Sequence, residues 1–142
     1  LLNAGLVDQF EIQAKHNVEA IRASGATEVV ATCADCYRTL KFDYPKVVGD
    51  LGFTVIHSSE LLARLIEEKK IELSRKIDET VTFQDPCQSG TNRVKDAQAA
   101  GATTMVTGCS FCKWSFNHAA RKLGAETKVK DITELVAEAM GL

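Results

Sequence analysis

The chain has 142 residues, enough for one ordinary domain or two small half-domains, and its 45% hydrophobic and 25% charged content is that of a soluble globular protein. A net charge of -2 argues against nucleic acid as a partner, which would leave a basic footprint. No apolar run approaches the ~20 residues needed to span a bilayer, and residues 1–10 lack the basic-then-apolar order of a secretion signal, so a cytoplasmic, non-transmembrane protein is expected.

Apolar residues at helical spacing (Phe10, Ala14, Val18, Ile21) predict a helix over residues 9–23, with Gly25 closing it. The β-branched run over 27–32 suits a buried parallel strand. Residues 36–48 read as helix, with Pro45 as a kink or end; 53–57 read as strand, and 59–70 as helix with Ser59 as its N-cap. The charged stretch 67–79 reads as a helix end and linker with a solvated face. A strand over 80–84 then runs into Asp85-Pro86-Cys87, followed by helix 93–100, strand 103–107, helix 111–123, strand 128–130 and helix 133–140. Alternating β and α segments predict an α/β fold with parallel strands flanked by helices.

The chain also repeats itself. Residues 16–36 align without gaps on 92–112: Gly25-Ala26-Thr27 falls on Gly101-Ala102-Thr103, Val30 on Val106, and Cys33 and Cys36 on Cys109 and Cys112. After a two-residue shift Val55 falls on Val129, and Glu60-Leu61 on Glu134-Leu135. Two matching stretches in the same order indicate an internal duplication. The expected organisation is two small βαβ units, a first cysteine-rich half-domain over 1–76 and a second over 77–142.

Five cysteines are many for an intracellular chain of this size, and their odd number with two Cys-x-x-C pairs points to metal or redox chemistry rather than a disulfide framework. Cys33, Cys87 and Cys109 each follow a predicted strand, and Cys36 and Cys112 fall in the first turn of the next helix. Ligands of open α/β sheets gather at the carboxyl ends of the strands, and helix N-termini favour thiolate. Iron–sulfur clusters and zinc both use Cys-x-x-C. Three readings follow: cluster ligation; a zinc site of Cys33, Cys36, Cys109 and Cys112 stapling the two units without turnover; or a thiol–disulfide oxidoreductase. No glycine-rich loop supports nucleotide binding. His57 reads as a capping or half-buried histidine, His16 and His118 as surface residues, and Trp114 and Phe116 as core. Asp85 stands where it could orient the Cys87 turn.

Three stretches resemble a known family. Thr32-Cys33-Ala34-Asp35-Cys36-Tyr37, Thr82-Phe83-Gln84-Asp85-Pro86-Cys87 and Gly101-Ala102 through Cys109-Ser110-Phe111-Cys112 are similar to the cysteine-rich domain found twice in the catalytic subunit of heterodisulfide reductase. The domain recurs in iron–sulfur subunits of glycerol-3-phosphate, glycolate and lactate dehydrogenases. The resemblance implies an oxidoreductase subunit that passes electrons from a flavoprotein or ferredoxin-like partner to a disulfide, quinone or other carrier, held at the inner face of the membrane through a partner such as a membrane-anchor subunit. It further implies Cys33, Cys36, Cys87, Cys109 and Cys112 as ligands of an iron–sulfur cluster. Each family domain also carries a Cys-Cys-Gly element, and this chain contains none. A non-cubane cluster is expected only if such segments exist, and a conventional 4Fe-4S cluster or zinc otherwise.

Overall fold

The computed structural model describes residues 4–83 and 90–142. Helix α1 (Val7–Ala23) is followed by β1 (Glu28–Ala31), α2 (Ala34–Arg38), α3 (Tyr44–Val48), β2 (Thr54–His57) and α4 (Ser58–Glu67). Then come β3 (Val81–Phe83), α5 (Gly90–Ala99), β4 (Thr104–Thr107), α6 (Ser110–Leu123), β5 (Lys128–Asp131) and α7 (Ile132–Met140). Among the described residues every strand pairing is parallel: β1 with β2 in one sheet, and β3-β4-β5 in another. The α/β class expected from the alternation is what the chain adopts. Among the described residues no helix is long and apolar enough to cross a membrane.

The duplication extends to hydrogen-bond register. Val29 pairs with Val55, and their repeat equivalents Met105 and Val129 pair with each other. A one-residue slip would turn every side chain of a strand to the opposite face, so both copies preserve the same choice of inward residues.

Two compact units form. One contains Leu1–Ala31 with Asp35–His57, and the other Thr32–Ala34 with Ser58–Leu142. In the first, the apolar stripe of α1 (Phe10, Ala14, Val18) packs with Tyr44, Leu51 and Val55. Phe10 and Tyr44 meet edge-to-face at 5.6 Å, and Asn17 Nδ2 donates to Tyr44 Oη at 2.8 Å, satisfying the buried phenol. The helix expected over 36–48 is broken in its middle: Thr39–Asp43 is a π-helical turn. Pro45, in the first turn of α3, lacks the N–H that a regular α-helix would use there, and the wider turn accommodates it. Gly49, at φ 80, ends α3 in a conformation that L side chains rarely adopt.

In the second unit β4 is buried at all four positions, and Met105 packs with Val94, Ala97, Phe116, Ala119, Ala120 and Val129. Helices α5 and α6 approach closely at Gly90, where an added Cβ would lie 3.0 Å from Ser115 Oγ and 3.3 Å from the Ser115 carbonyl. Helix α6 ends at Gly124 in the left-handed region, and α7 begins with a capping box in which Asp131 accepts from Thr133 N while Glu134 accepts from Asp131 N. The charged stretch after α4 is mostly exposed, as its composition implies, but two points of it are tied to the rest of the second unit. Arg75 N donates to Ala139 O at 2.8 Å, and the Glu79 carboxylate is bound by Thr104, Lys128 and Lys130.

Candidate thiolate site

Cys109 stands between a fully buried strand and a helix that begins beside it. β4 ends at Thr107, and Cys109 is the N-cap of α6, with extended backbone at φ -142 and ψ 117. The first helical N–H groups lack intrahelical partners, and the Cys109 side chain, as N-cap, stands at that end of α6 without a side-chain capping hydrogen bond. Burial pushes the Cys109 thiol up, but the neighbouring polar groups of Cys112 (backbone, then side chain), Cys33 and the Phe111 backbone outweigh it. The thiol is therefore held below its ordinary pKa.

Cys33 reaches the same place from the other copy of the repeat. Strand β1 ends at Ala31, and Thr32–Ala34 joins the second unit. There Cys33 packs, half-buried, against the core that contains Cys109 and Cys112. Its Sγ lies 3.8 Å from Cys109 Sγ, a thiol hydrogen bond between residues at equivalent positions of the duplication. Cys109 is 2% exposed and Cys112 8%. Cys36, the third residue of α2, is exposed. Cys87 and Asp85 lie outside the described residues.

Three cysteines thus share an apolar setting, with Cys109 and Cys33 hydrogen-bonded sulfur to sulfur. Soft sulfur donors in apolar surroundings are the donor chemistry of iron–sulfur and zinc sites. The donors fit such a group in kind. Among the described residues no three His, Cys, Asp or Glu side chains stand ready-made around a metal ion, so the sulfurs are gathered but not preset as a cage.

Two aromatic groups flank the cysteines. In the first unit Tyr37, next to Cys36, meets the His57 ring at 5.8 Å and lies beneath Lys41, whose Nζ is 4.6 Å from the ring centroid. On α6, Phe111, Trp114 and His118 stack in a row with centroids 5.9 Å apart at both steps. Phe111 and Trp114 are 67% and 62% exposed. Phe116 is core, as its sequence context implies, whereas Trp114 is not. Helical spacing carries the distinction: Cys112, Phe116, Ala119 and Ala120 form the buried stripe, and positions 111, 114 and 118 face away from it. His16 and His118 are exposed, as expected.

The cysteine-rich domain (CCG) family matches residues 2–41 and 57–117. The chain is 32% identical over 182 residues to one subunit of the dihydromethanophenazine:CoB–CoM heterodisulfide reductase of Methanosarcina acetivorans, an alignment covering 91% of this chain and 44% of that protein. It is 28% identical over 81 residues to an EtfAB:quinone oxidoreductase of Syntrophomonas wolfei (57% of this chain, 11% of that protein). It is 31% identical over 83 residues to a probable iron-sulfur-binding oxidoreductase, FadF, of Bacillus subtilis (57% and 11%). No solved structure matches. The chain spans less than half the length of the heterodisulfide reductase relative. The alignment to that relative is longer than the 142 residues available, so the relative carries segments inside the matched region that have no counterpart here. The resemblance read from the cysteine motifs is borne out.

Proposed function

Because the chain belongs to the cysteine-rich (CCG) domain family, we propose that it is the thiolate-bearing part of an iron–sulfur oxidoreductase subunit of the heterodisulfide reductase type. Cys33, Cys36, Cys109 and Cys112, with Cys87, are the cluster ligands in this reading. The observation that carries it is the 3.8 Å approach of Cys33 and Cys109, repeat-equivalent residues 76 positions apart that meet sulfur to sulfur in the core of one unit. Packing alone gives no reason for both copies of a duplication to deliver sulfur to one point.

The chain's own residues would do three things. The neighbouring polar groups of Cys112, Cys33 and the Phe111 backbone hold Cys109 toward thiolate, the form in which it ligates. The buried β4 and the α6 core around Phe116 exclude water from the Cys109 sulfur, which strengthens its polar interactions. The exposed α6 face leaves the outer side of the site open to a partner. When bound, a cluster would supply one-electron transfer. Its electrons would come from a flavoprotein or ferredoxin-like subunit and pass to a disulfide, quinone or other carrier. The names of the relatives support that class of acceptor. Docking through a membrane-anchor subunit, a cytoplasmic location and half-domains divided at 76/77 belong to the same reading.

Zinc is the second reading, and the same distance favours it. A tetrahedral thiolate site with Zn–S of about 2.3 Å keeps neighbouring sulfurs about 3.8 Å apart. The two are separated by assaying iron, acid-labile sulfide and zinc together on anaerobically purified protein. Iron with matching sulfide is expected. Zinc without sulfide would overturn the electron-transfer reading.

A further inference from the structure

Cys33 and Cys109 differ in accessibility in a way that ligation does not require. Cys33 is half-buried and follows β1 in a bend, outside regular structure. Cys109 is 2% exposed and fixed at the junction of β4 and α6. An accessible thiol in contact with a buried one is the arrangement of an attacking and a resolving cysteine. The sulfurs at 3.8 Å would need to close to about 2.05 Å to bond, and Cys33, outside regular structure, is less constrained by backbone hydrogen bonding than Cys109 at the start of α6. Cys109 and Cys112 are both buried and offer no such division; Cys33 and Cys36 do differ in exposure, so the competing bond that the test must separate is Cys33–Cys36.

We infer that, in the cluster-free chain, Cys33 and Cys109 are a thiol–disulfide exchange pair, reacting with small disulfides such as oxidised glutathione and closing a disulfide across the duplication. The Cys33 thiolate attacks one sulfur of the small disulfide, forming a mixed disulfide and releasing one thiol. The Cys109 thiolate then attacks Cys33 Sγ, and the second thiol leaves. The protein pair loses two electrons, the small disulfide gains them, and the two protein thiol protons end on the two released thiols. The consequence, which rests on the ligand assignment above, is a redox lock: closing this bond removes two cluster ligands at once, and reduction restores them.

The test uses the metal-stripped, reduced chain with oxidised glutathione, followed by alkylation, digestion and mass mapping. The wild type should lose about 2 Da and yield one major cross-link, Cys33 to Cys109. C109S should instead accumulate glutathione on Cys33, because the resolving thiol is missing. A dominant Cys33–Cys36 or Cys109–Cys112 cross-link, or a stable glutathione adduct on Cys33 of the wild type, overturns the exchange pair. Iron and sulfide are then offered to the reduced and the oxidised chain. Uptake by the reduced chain alone supports the lock, and equal uptake by both contradicts it. No uptake by the reduced chain counts against the ligand assignment, while the mapped cross-link still decides the exchange pair.

Discussion

Thr104 Oγ1 donates to Glu79 Oε2 at 2.6 Å, and this bond joins the segment entering β3 to the first residue of β4. Lys130 Nζ completes the arrangement at 3.0 Å from the same carboxylate oxygen and 2.7 Å from Glu138. One carboxylate thus ties together the edge, centre and far strand of the three-stranded sheet.

That arrangement makes stability pH-dependent. The Thr104 hydroxyl, then the Lys130 ammonium, outweigh burial and hold Glu79 down to about 2 from the ordinary 4.5. A depressed folded-state pKa contributes stability that is complete above the unfolded value and is lost as pH falls from 4.5 toward 2. Urea titrations at fixed salt, run from about pH 6 down to about pH 2.5, should show E79Q losing less stability on acidification than the wild type. At neutral pH E79Q should itself cost about 2 kcal/mol, the worth of hydrogen bonds to a charged group. Parallel acid profiles for the two proteins would remove Glu79 as the source of the pH dependence.

Two aromatic residues two positions apart on α6 should respond oppositely to truncation. Phe116 is fully buried, and F116A should cost about 3–5 kcal/mol. Trp114 is mostly exposed, and W114A should stay within about 1 kcal/mol of the wild type by chemical denaturation. A large loss at Trp114 would mean that its face is covered.

The contrast shows how much the order of residues reveals. Strands and helices follow from β-branched runs and 3.6-residue periodicity, and the duplication predicts where each recurs. The fold class is legible for that reason. Trp114 reads as core only when aromatic content is weighed before helical phase, and the phase itself points the other way. Glu79 reads as solvated because its partners, Thr104 and Lys130, are distant in sequence. The same limit applies to the site: strand ends and Cys-x-x-C spacing mark Cys33 and Cys109 as important, but nothing in the order of residues says that their sulfurs touch.

Gly90 should tolerate no side chain without adjustment. Its added Cβ would press on the Ser115 carbonyl at 3.3 Å as well as on Ser115 Oγ, and backbone cannot swing aside as a flexible side chain can. G90A should cost about 1–3 kcal/mol despite the better helix propensity of alanine, measured as a lowered urea midpoint. A stabilised G90A would show that α5 and α6 can separate freely.

Trp114 also supplies a probe, since it is the only tryptophan in the chain and lies two residues after Cys112. Iron–sulfur loading at Cys109 and Cys112 should quench most of its emission, because the cluster absorbs in the same region at short range. Zinc loading should leave the emission nearly unchanged. Equal emission with and without bound iron would place the cluster away from α6.

The most direct test of the central claim is iron and acid-labile sulfide per chain in anaerobically prepared wild type, C33S and C109S, with circular dichroism confirming that each is folded. Iron with matching sulfide in the wild type, and loss of most of both in each variant, is the predicted result. Folded C33S and C109S proteins that keep wild-type iron and sulfide would contradict the claim that these two sulfurs, 3.8 Å apart, belong to one cluster site.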